Sequence, residues 1–263
     1  MGVVPFTHVS ARSDVGRIRK LNEDALLVGE YLWAVADGMG GHAAGDVASA
    51  LVVSVLRGLD GPGLSVEDIV EAVATANEQI LEHAASHPES FGLGTTLAGV
   101  AEVSVGGACH WAIFNVGDSR VYRLDQGHLS RATIDHSEVE ELIMAGQLTE
   151  VQARSHPLRN VITRSVGSNP APQVDVWVLP QSAGERFLIC SDGLTTELSD
   201  LAIRALLSGG VVAEIAHELV EGALAAGGRD NVSVIVVAVE RPTDDAPDEA
   251  TNPRVTTPSE GAS

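Results

Sequence analysis

Positive charge, aromatic rings and cysteine are all scarce in this sequence, and no apolar run is long. Against 36 Asp and Glu stand only 16 Lys and Arg, a formal net charge of −20. Such a chain repels phosphate backbones and anionic lipid surfaces, which argues against a nucleic-acid or membrane partner. Acidity also serves plain solubility. Aromatic residues make up 3% of the chain, so a core has to come from Val, Leu, Ile and Ala. No apolar run approaches the ~20 residues that cross a bilayer. The opening MGVVPFTHVS lacks a basic segment followed by a long apolar stretch, so no signal peptide is expected. The two cysteines, Cys109 and Cys190, both fall in apolar strand-like runs. Two buried thiols fit a reducing cytosol better than a disulfide framework, and a cytoplasmic location is expected.

What the sequence does have is aspartate beside glycine at the ends of apolar runs. Leu32 to Ala36 runs into Asp37-Gly38, then Gly40, Gly41 and His42. Ala112 to Val116 runs into Gly117-Asp118, and Phe187 to Cys190 into Ser191-Asp192-Gly193. Asp230-Asn231 follows Gly227-Gly228 and precedes the run Val232 to Val239. Carboxylates with a backbone carbonyl and water suit Mg²⁺ or Mn²⁺, whereas Zn²⁺ prefers His and Cys. Glycine lets the backbone approach an ion and offer its carbonyl. Asp-Gly pairs also mark ordinary turns, so each pair taken singly stays ambiguous. Arg12, Arg17, Arg19 and Lys20 lie close together before Asn22-Glu23-Asp24. They read either as phosphate donors or as solvated loop charges.

Taken in order, residues 7–12 and Ala25 to Val28 read as strands. Helical spacing over 43–59 is closed by Gly-Pro-Gly at 61–63, and a second helix starts at Ser65 with Asp68 as its capping partner. Ile69, Val73, Ala76 and Ile80 form that helix's buried stripe, and His83 and His87 near its end read as surface residues. Strands follow at 95–100, 109–116, 120–124 and 128–130, with Asp125-Gln126-Gly127 as a hairpin turn, and this stretch reads as an antiparallel meander. Ser137 with Glu140, and Thr149 with Gln152, are capping-box patterns for two short helices. Strands resume at 173–179 and 186–191, then helices at 199–207 and 211–226, then the strand 232–239. The end of the chain holds four prolines and five acids without periodicity, and residues 241–263 read as a disordered tail. The order fits an antiparallel sandwich covered by helix pairs.

The blocks SDVGRIRKLNEDA, ADGMGGHAAGDVAS, GTTL, NVGDSRVYRL, DHS, HPLRNVITRSVG, LICSDGL and GGRDNVSV occur in one order along the chain. As a set they resemble the bacterial metal-dependent Ser/Thr protein phosphatases of the type 2C (PPM) family. The resemblance runs from about Thr7 to Glu240. It implies a catalytic domain over 1–240 with an α+β fold, a four-layer α-β-β-α sandwich of two mainly antiparallel sheets flanked by helix pairs. Residues 137–165 then correspond to a variable flap. It implies two catalytic Mn²⁺ or Mg²⁺ ions and a weaker third. Asp37 resembles the carboxylate bridging the two ions, Gly38 the carbonyl donor, and Asp192 and Asp230 ligands of the second ion. Asp24 resembles an acid that reaches a metal through water, with Glu23 beside it. Asp118 resembles a ligand of the third ion, Arg19 the phosphate-binding arginine, and His42 the proton donor to the leaving oxygen. Asn231 resembles a polar neighbour of the ligands. Thr196 departs from the family pattern, which has an acid or Trp there.

The implied reaction is hydrolysis of phosphoserine and phosphothreonine in proteins by a metal-bridged water. The implied partners are phosphorylated proteins, Ser/Thr kinases and their substrates, and a monomer is expected. A pseudophosphatase that only binds phosphoproteins stays open, although the full Asp set speaks against it. A nucleotide kinase using GMGGHAAG lacks the Gly-Lys-Ser/Thr ending of a phosphate loop. Asp118 has an alternative role as a turn brace paired with Arg120.

Overall fold

The computed structural model describes residues 7–40, 44–87 and 92–239. His42 and the expected tail lie outside the described residues. The first half of the chain forms β1 (Thr7–Asp14), β2 (Asp24–Val28), β3 (Leu32–Met39), α1 (Gly45–Leu59), α2 (Val66–Ser86), β4 (Gly94–Thr95), β5 (Leu97–Val105) and β6 (Ala108–Val116). The second half adds β7 (Arg120–Asp125), β8 (His128–Arg131), α3 (Glu138–Met144), α4 (Glu150–Ala153), β9 (Asp175–Pro180) and β10 (Arg186–Cys190). It ends with α5 (Asp192–Glu197), α6 (Asp200–Ser208), α7 (Val212–Ala226) and β11 (Val232–Val239).

The strands form two antiparallel sheets, one ordered β1-β11-β10-β7-β8 and the other β2-β3-β5-β6-β9, with β4 paired to β3. Both sheets are covered on both faces, and the strand sequences show why. Successive side chains point to opposite faces. In β11, Val232, Val234 and Val236 face the α6–α7 layer, while Ile235, Val237 and Val239 face the other sheet. In β3, Leu32, Ala34 and Ala36 pack under α1 and α2, while Trp33 and Val35 point between the sheets. A strand buried on two faces has no polar face to show, so its sequence is continuously apolar. The result is the four-layer α-β-β-α sandwich expected from the sequence. Between the sheets, Trp111 meets Trp33 edge-on at 6.2 Å and Phe187 at 5.6 Å. Such aromatic pairs contribute about 0.5–1.5 kcal/mol each beyond area burial.

The meander is split. β5 and β6 belong to one sheet and β7 and β8 to the other, so the chain crosses the sandwich at Gly117 to Ser119. The Asp125-Gln126-Gly127 turn is a tight hairpin with Gln126 and Gly127 both at positive φ. The Ser65–Asp68 capping box is complete, and so is Thr149–Gln152. At Ser137 only half forms, because the Glu140 carboxylate that would return the bond is held by Arg131. Cys109 corrects the expectation of two buried thiols. It sits at the start of β6 next to the Gly106-Gly107 turn, beyond the packed part of the sheet, and is exposed. Cys190 is buried. Helix α5 was not anticipated; its six residues are too few to show a period. Among the described residues no helix is long and apolar enough to cross a membrane.

Candidate metal centre

The antiparallel pairing brings five aspartates to one end of the sandwich. Asp24 opens β2 and stands opposite Asp37 near the end of β3. Asp118 lies in the turn where the chain leaves β6, Asp192 follows β10, and Asp230 precedes β11. All five are half-buried and reached by solvent.

Hydrogen bonds across the cleft fix these positions. Thr96 Oγ1 accepts the Asp37 N–H at 3.0 Å and meets Ser119 Oγ at 2.7 Å, which ties β3 to the turn carrying Asp118. Thr95 Oγ1 donates to the Asp37 carbonyl at 3.0 Å. Ser191 Oγ donates to Asp24 Oδ2 at 2.9 Å. Asn231 joins three segments, accepting from the Glu23 N–H at 2.9 Å and donating to the Val15 and Leu21 carbonyls at 3.0 and 2.9 Å. Gly38 lies where α1 begins. A Cβ there would sit 2.2 Å from the Gly45 carbonyl oxygen, so only glycine lets the helix start close in behind β3.

The carboxylates crowd one another. Burial, then the charges of Asp24, Asp192, Asp118 and Asp230, hold Asp37 well above the usual carboxylate range. Burial pushes Asp192 up to about 6, with Asp230 adding to it, and Asp24 up to about 6 against the lowering bonds from Ser233 and Ser191. Asp118 is pushed up to about 8 by burial, Asp192 and Asp135. Like charges gathered this way call for a cation. Asp24 Oδ1 is buried without a hydrogen-bond partner, an acceptor left open among the aspartates. Among the described residues no three His, Cys, Asp or Glu form a compact ion-holding group by themselves. The donor set, hard oxygens only, fits Mn²⁺ or Mg²⁺.

Arg19 reaches into this group and pairs with Asp230 at 2.8 Å, with half of its side chain exposed. Glu23 and Asn231 lie beside the aspartates through their mutual bond. Arg120 is not a brace for Asp118. Its guanidinium forks onto Asp135 at 2.6–3.0 Å and donates to the Tyr122 hydroxyl at 3.2 Å. Thr95, Thr96, Ser119 and Asp135 support the site although the sequence pattern assigns them no role. Of these, Ser119 directly follows Gly117-Asp118, and that adjacency is the signal that marks it.

Comparison with known proteins bears on this cleft. The family model for protein phosphatase 2C matches residues 19–218. The serine/threonine protein phosphatase PstP of Mycobacterium tuberculosis is 40% identical over 233 residues, covering 88% of this chain and 44% of that protein. The chain therefore spans less than half the length of these mycobacterial relatives. A serine/threonine phosphatase of Listeria monocytogenes is 35% identical over 243 residues, 88% of this chain and 95% of its own. The crystal structure of the Mycobacterium tuberculosis phosphatase PstP/Ppp superposes with a TM-score of 0.84 at 39% identity, covering 89% of this chain and 99% of that one. The PstP catalytic domain in complex with two manganese ions gives 0.81 at 38% identity, with coverage of 89% and 99%. With its aspartates gathered at one end of a matching sandwich, this chain belongs to the protein phosphatase 2C family.

Proposed function

We propose that this protein hydrolyses phosphoserine and phosphothreonine in other proteins and so opposes Ser/Thr kinases. The observation that carries this reading is the convergence of five aspartates on one cleft with Arg19 at its rim. Its relatives in Mycobacterium tuberculosis and Listeria monocytogenes are serine/threonine phosphatases, which supports it.

Asp37, Asp192 and Asp230, with the Gly38 carbonyl, would hold two divalent ions, Asp118 a third, and Asp24 would act through water. When bound, such ions supply an acidified water as nucleophile and neutralise phosphoryl charge. The chain's own residues do the rest. Arg19 offers a planar fork that two phosphoryl oxygens can accept in place of Asp230. Thr96 and Ser119 keep Asp37 and Asp118 at fixed separation, so little reorganisation is needed as charge develops. His42 is the proposed proton donor to the departing serine or threonine oxygen. Residues 137–165 would act as a flap bordering the cleft. A cysteine nucleophile is disfavoured on its own chemistry: burial pushes the Cys190 thiol up to about 12, and Cys109 lies at the opposite end of β6 from Asp118.

The deciding experiment is turnover of a phosphothreonine peptide in EDTA, Mg²⁺ and Mn²⁺ by wild type and Asp192→Asn. Metal-dependent release of phosphate, lost by several orders of magnitude in the variant, is expected. Full activity in EDTA sinks the reading. Phosphopeptide binding without turnover indicates a pseudophosphatase.

A further inference from the structure

Arg12 on β1 and Arg17, Arg19 and Lys20 on the loop between β1 and β2 are four basic residues close together, and the structure divides their duties. Arg12 is taken by Glu221 and His217, and Arg19 by Asp230. Arg17 and Lys20 are exposed, and neither has a carboxylate partner among the described residues. Lys20 is the chain's single lysine, in a protein of net charge −20. Two branched aliphatic side chains stand out beside them, Ile18 at 69% exposure and Leu21 at 53%. Solubility does not call for exposed aliphatics on a charged loop.

The loop is also held rigid. Gly16 donates to Asp14 Oδ1 at 2.9 Å, and the Arg17 N–H donates to the Gly228 carbonyl at 2.7 Å. Asn231 grips Val15 at one end and Leu21 at the other. Gly16 sits at φ 78°, and a Cβ there would lie 2.2 Å from the Asp230 carbonyl oxygen. The loop is thus packed onto the segment that carries Asp230. A preformed surface loses little entropy when a ligand settles on it.

We propose, resting on the phosphatase reading above, that Arg17, Ile18, Lys20 and Leu21 form the docking strip for residues flanking the phosphorylated position. The partner it fits is a phosphopeptide with acidic residues next to the phosphoresidue, interspersed with aliphatic ones. Charge complementarity carries the choice: the surrounding field repels acidic peptides, and this strip supplies a local patch of the opposite sign beside the site.

The test compares three phosphothreonine peptides with acidic, neutral or basic flanks at saturating Mn²⁺. Wild type is measured beside Arg17→Ser/Lys20→Ser and beside the charge-keeping Arg17→Lys/Lys20→Arg. Wild type should favour the acid-flanked peptide over the neutral one in kcat/KM by roughly tenfold, through KM, as two solvent-exposed charge pairs allow. The ratio should fall toward about one in the serine variant, persist in the charge-keeping variant, and shrink with added salt. Preference for basic or neutral flanks, or a serine variant with the wild-type ratio, overturns the docking strip while leaving the phosphatase reading intact. The salt dependence of wild type reads the same contact without any substitution. Absence of turnover on every peptide and on a small aryl phosphate overturns the phosphatase reading itself, and the docking strip with it.

Discussion

Glu197 accepts three hydrogen bonds from Arg229: one from the backbone N–H at 3.0 Å and two from the guanidinium at 2.9 Å. The Glu197 side chain is almost fully enclosed, and the bonds from Arg229 hold its carboxyl below the usual range. Glu197 ends the short helix that Asp192 begins, and Arg229 immediately precedes Asp230. One six-residue helix therefore links two aspartates of the cleft. Outer partners of this kind set metal affinity by orienting the ligands. Glu197→Ala and Arg229→Ala should each weaken Mn²⁺ binding by about tenfold, and the double variant should be no worse than either. Calorimetry of Mn²⁺ binding reads this, with melting in EDTA as the folding control. Unchanged titrations would show the pair to be a plain surface contact.

Arg19 should act on phosphate rather than on metal. Its pairing with Asp230 shows that the guanidinium reaches the cleft. Arg19→Ala should raise the inorganic phosphate needed for half inhibition by about tenfold, the scale of a half-exposed charge-assisted bond. Metal binding should be no weaker, because Asp230 loses a competitor. Arg19→Lys should rescue only in part, since ammonium lacks the planar fork. A variant with the wild-type phosphate inhibition curve would move the role to another cation.

Crowded carboxylates make the metal-free protein sensitive to alkali. Folding raises Asp24 and Asp192 to about 6 and Asp118 to about 8, and also raises Asp37, all above the ~4 of an unfolded chain. In that window the folded chain binds more protons than the unfolded one. Their contribution to stability is therefore fully present below about pH 4 and is lost as pH rises through about 6 and then 8. Asp68, Asp175 and Glu197 are shifted downward, so their own contribution falls away only in acid, below this window. In EDTA the Tm should fall between about pH 5 and 8.5, and the gain from Mn²⁺ should be largest at the upper end. A flat profile would mean that neither burial nor mutual repulsion raises these carboxylates.

The two thiols should react differently. Cys109 is exposed, while Cys190 is buried with its thiol pushed up to about 12. One equivalent of an alkylating reagent should modify Cys109 in the native protein and leave phosphopeptide turnover unchanged. Cys190 should become reactive only in denaturant. Mass spectrometry of the digested protein separates the two, and native labelling of Cys190 would contradict the packing described.

Most of the layer order was legible because the strands of both sheets are buried on two faces. β11 runs from Val232 to Val239 as the sequence predicts, since nothing in it alternates and Asn231 stops it. That Asp37, Asp118, Asp192 and Asp230 would meet at one end of the sandwich was legible only from the set: each borders an apolar strand, and any one Asp-Gly pair alone reads as an ordinary turn. Burial was misread at Cys109, where apolar neighbours continue past the end of the covered sheet. The sheet assignment of β6 and β7 was also hidden, because a three-residue crossing and a hairpin look alike in sequence. The pair Glu197–Arg229 spans 32 positions, and neither residue has a local pattern.

Asp118 is the residue on which the proposed third ion can be tested. It sits in the turn where the chain crosses between sheets, locked by the Thr96–Ser119 contact and by Gly117, whose N–H donates to His136 Nδ1 at 3.1 Å. Arg120, two residues on, is engaged by Asp135 and leaves the Asp118 carboxylate to the cleft. Asp118 feels the charge of Asp192, which the proposed function gives to the central pair of ions. An ion held there would have fewer protein charges to itself and keep more water, so it should bind more weakly. Asp118→Asn should therefore leave two tight Mn²⁺ in calorimetry and remove a weaker third. Its phosphopeptide kcat should fall by about a hundredfold, while wild type should need metal well above the level that fills the tight sites. The metal-free variant should also hold its Tm better near pH 8, because one of the repelling charges is gone. A variant with an unchanged metal titration and normal turnover would reduce Asp118 to a structural turn residue.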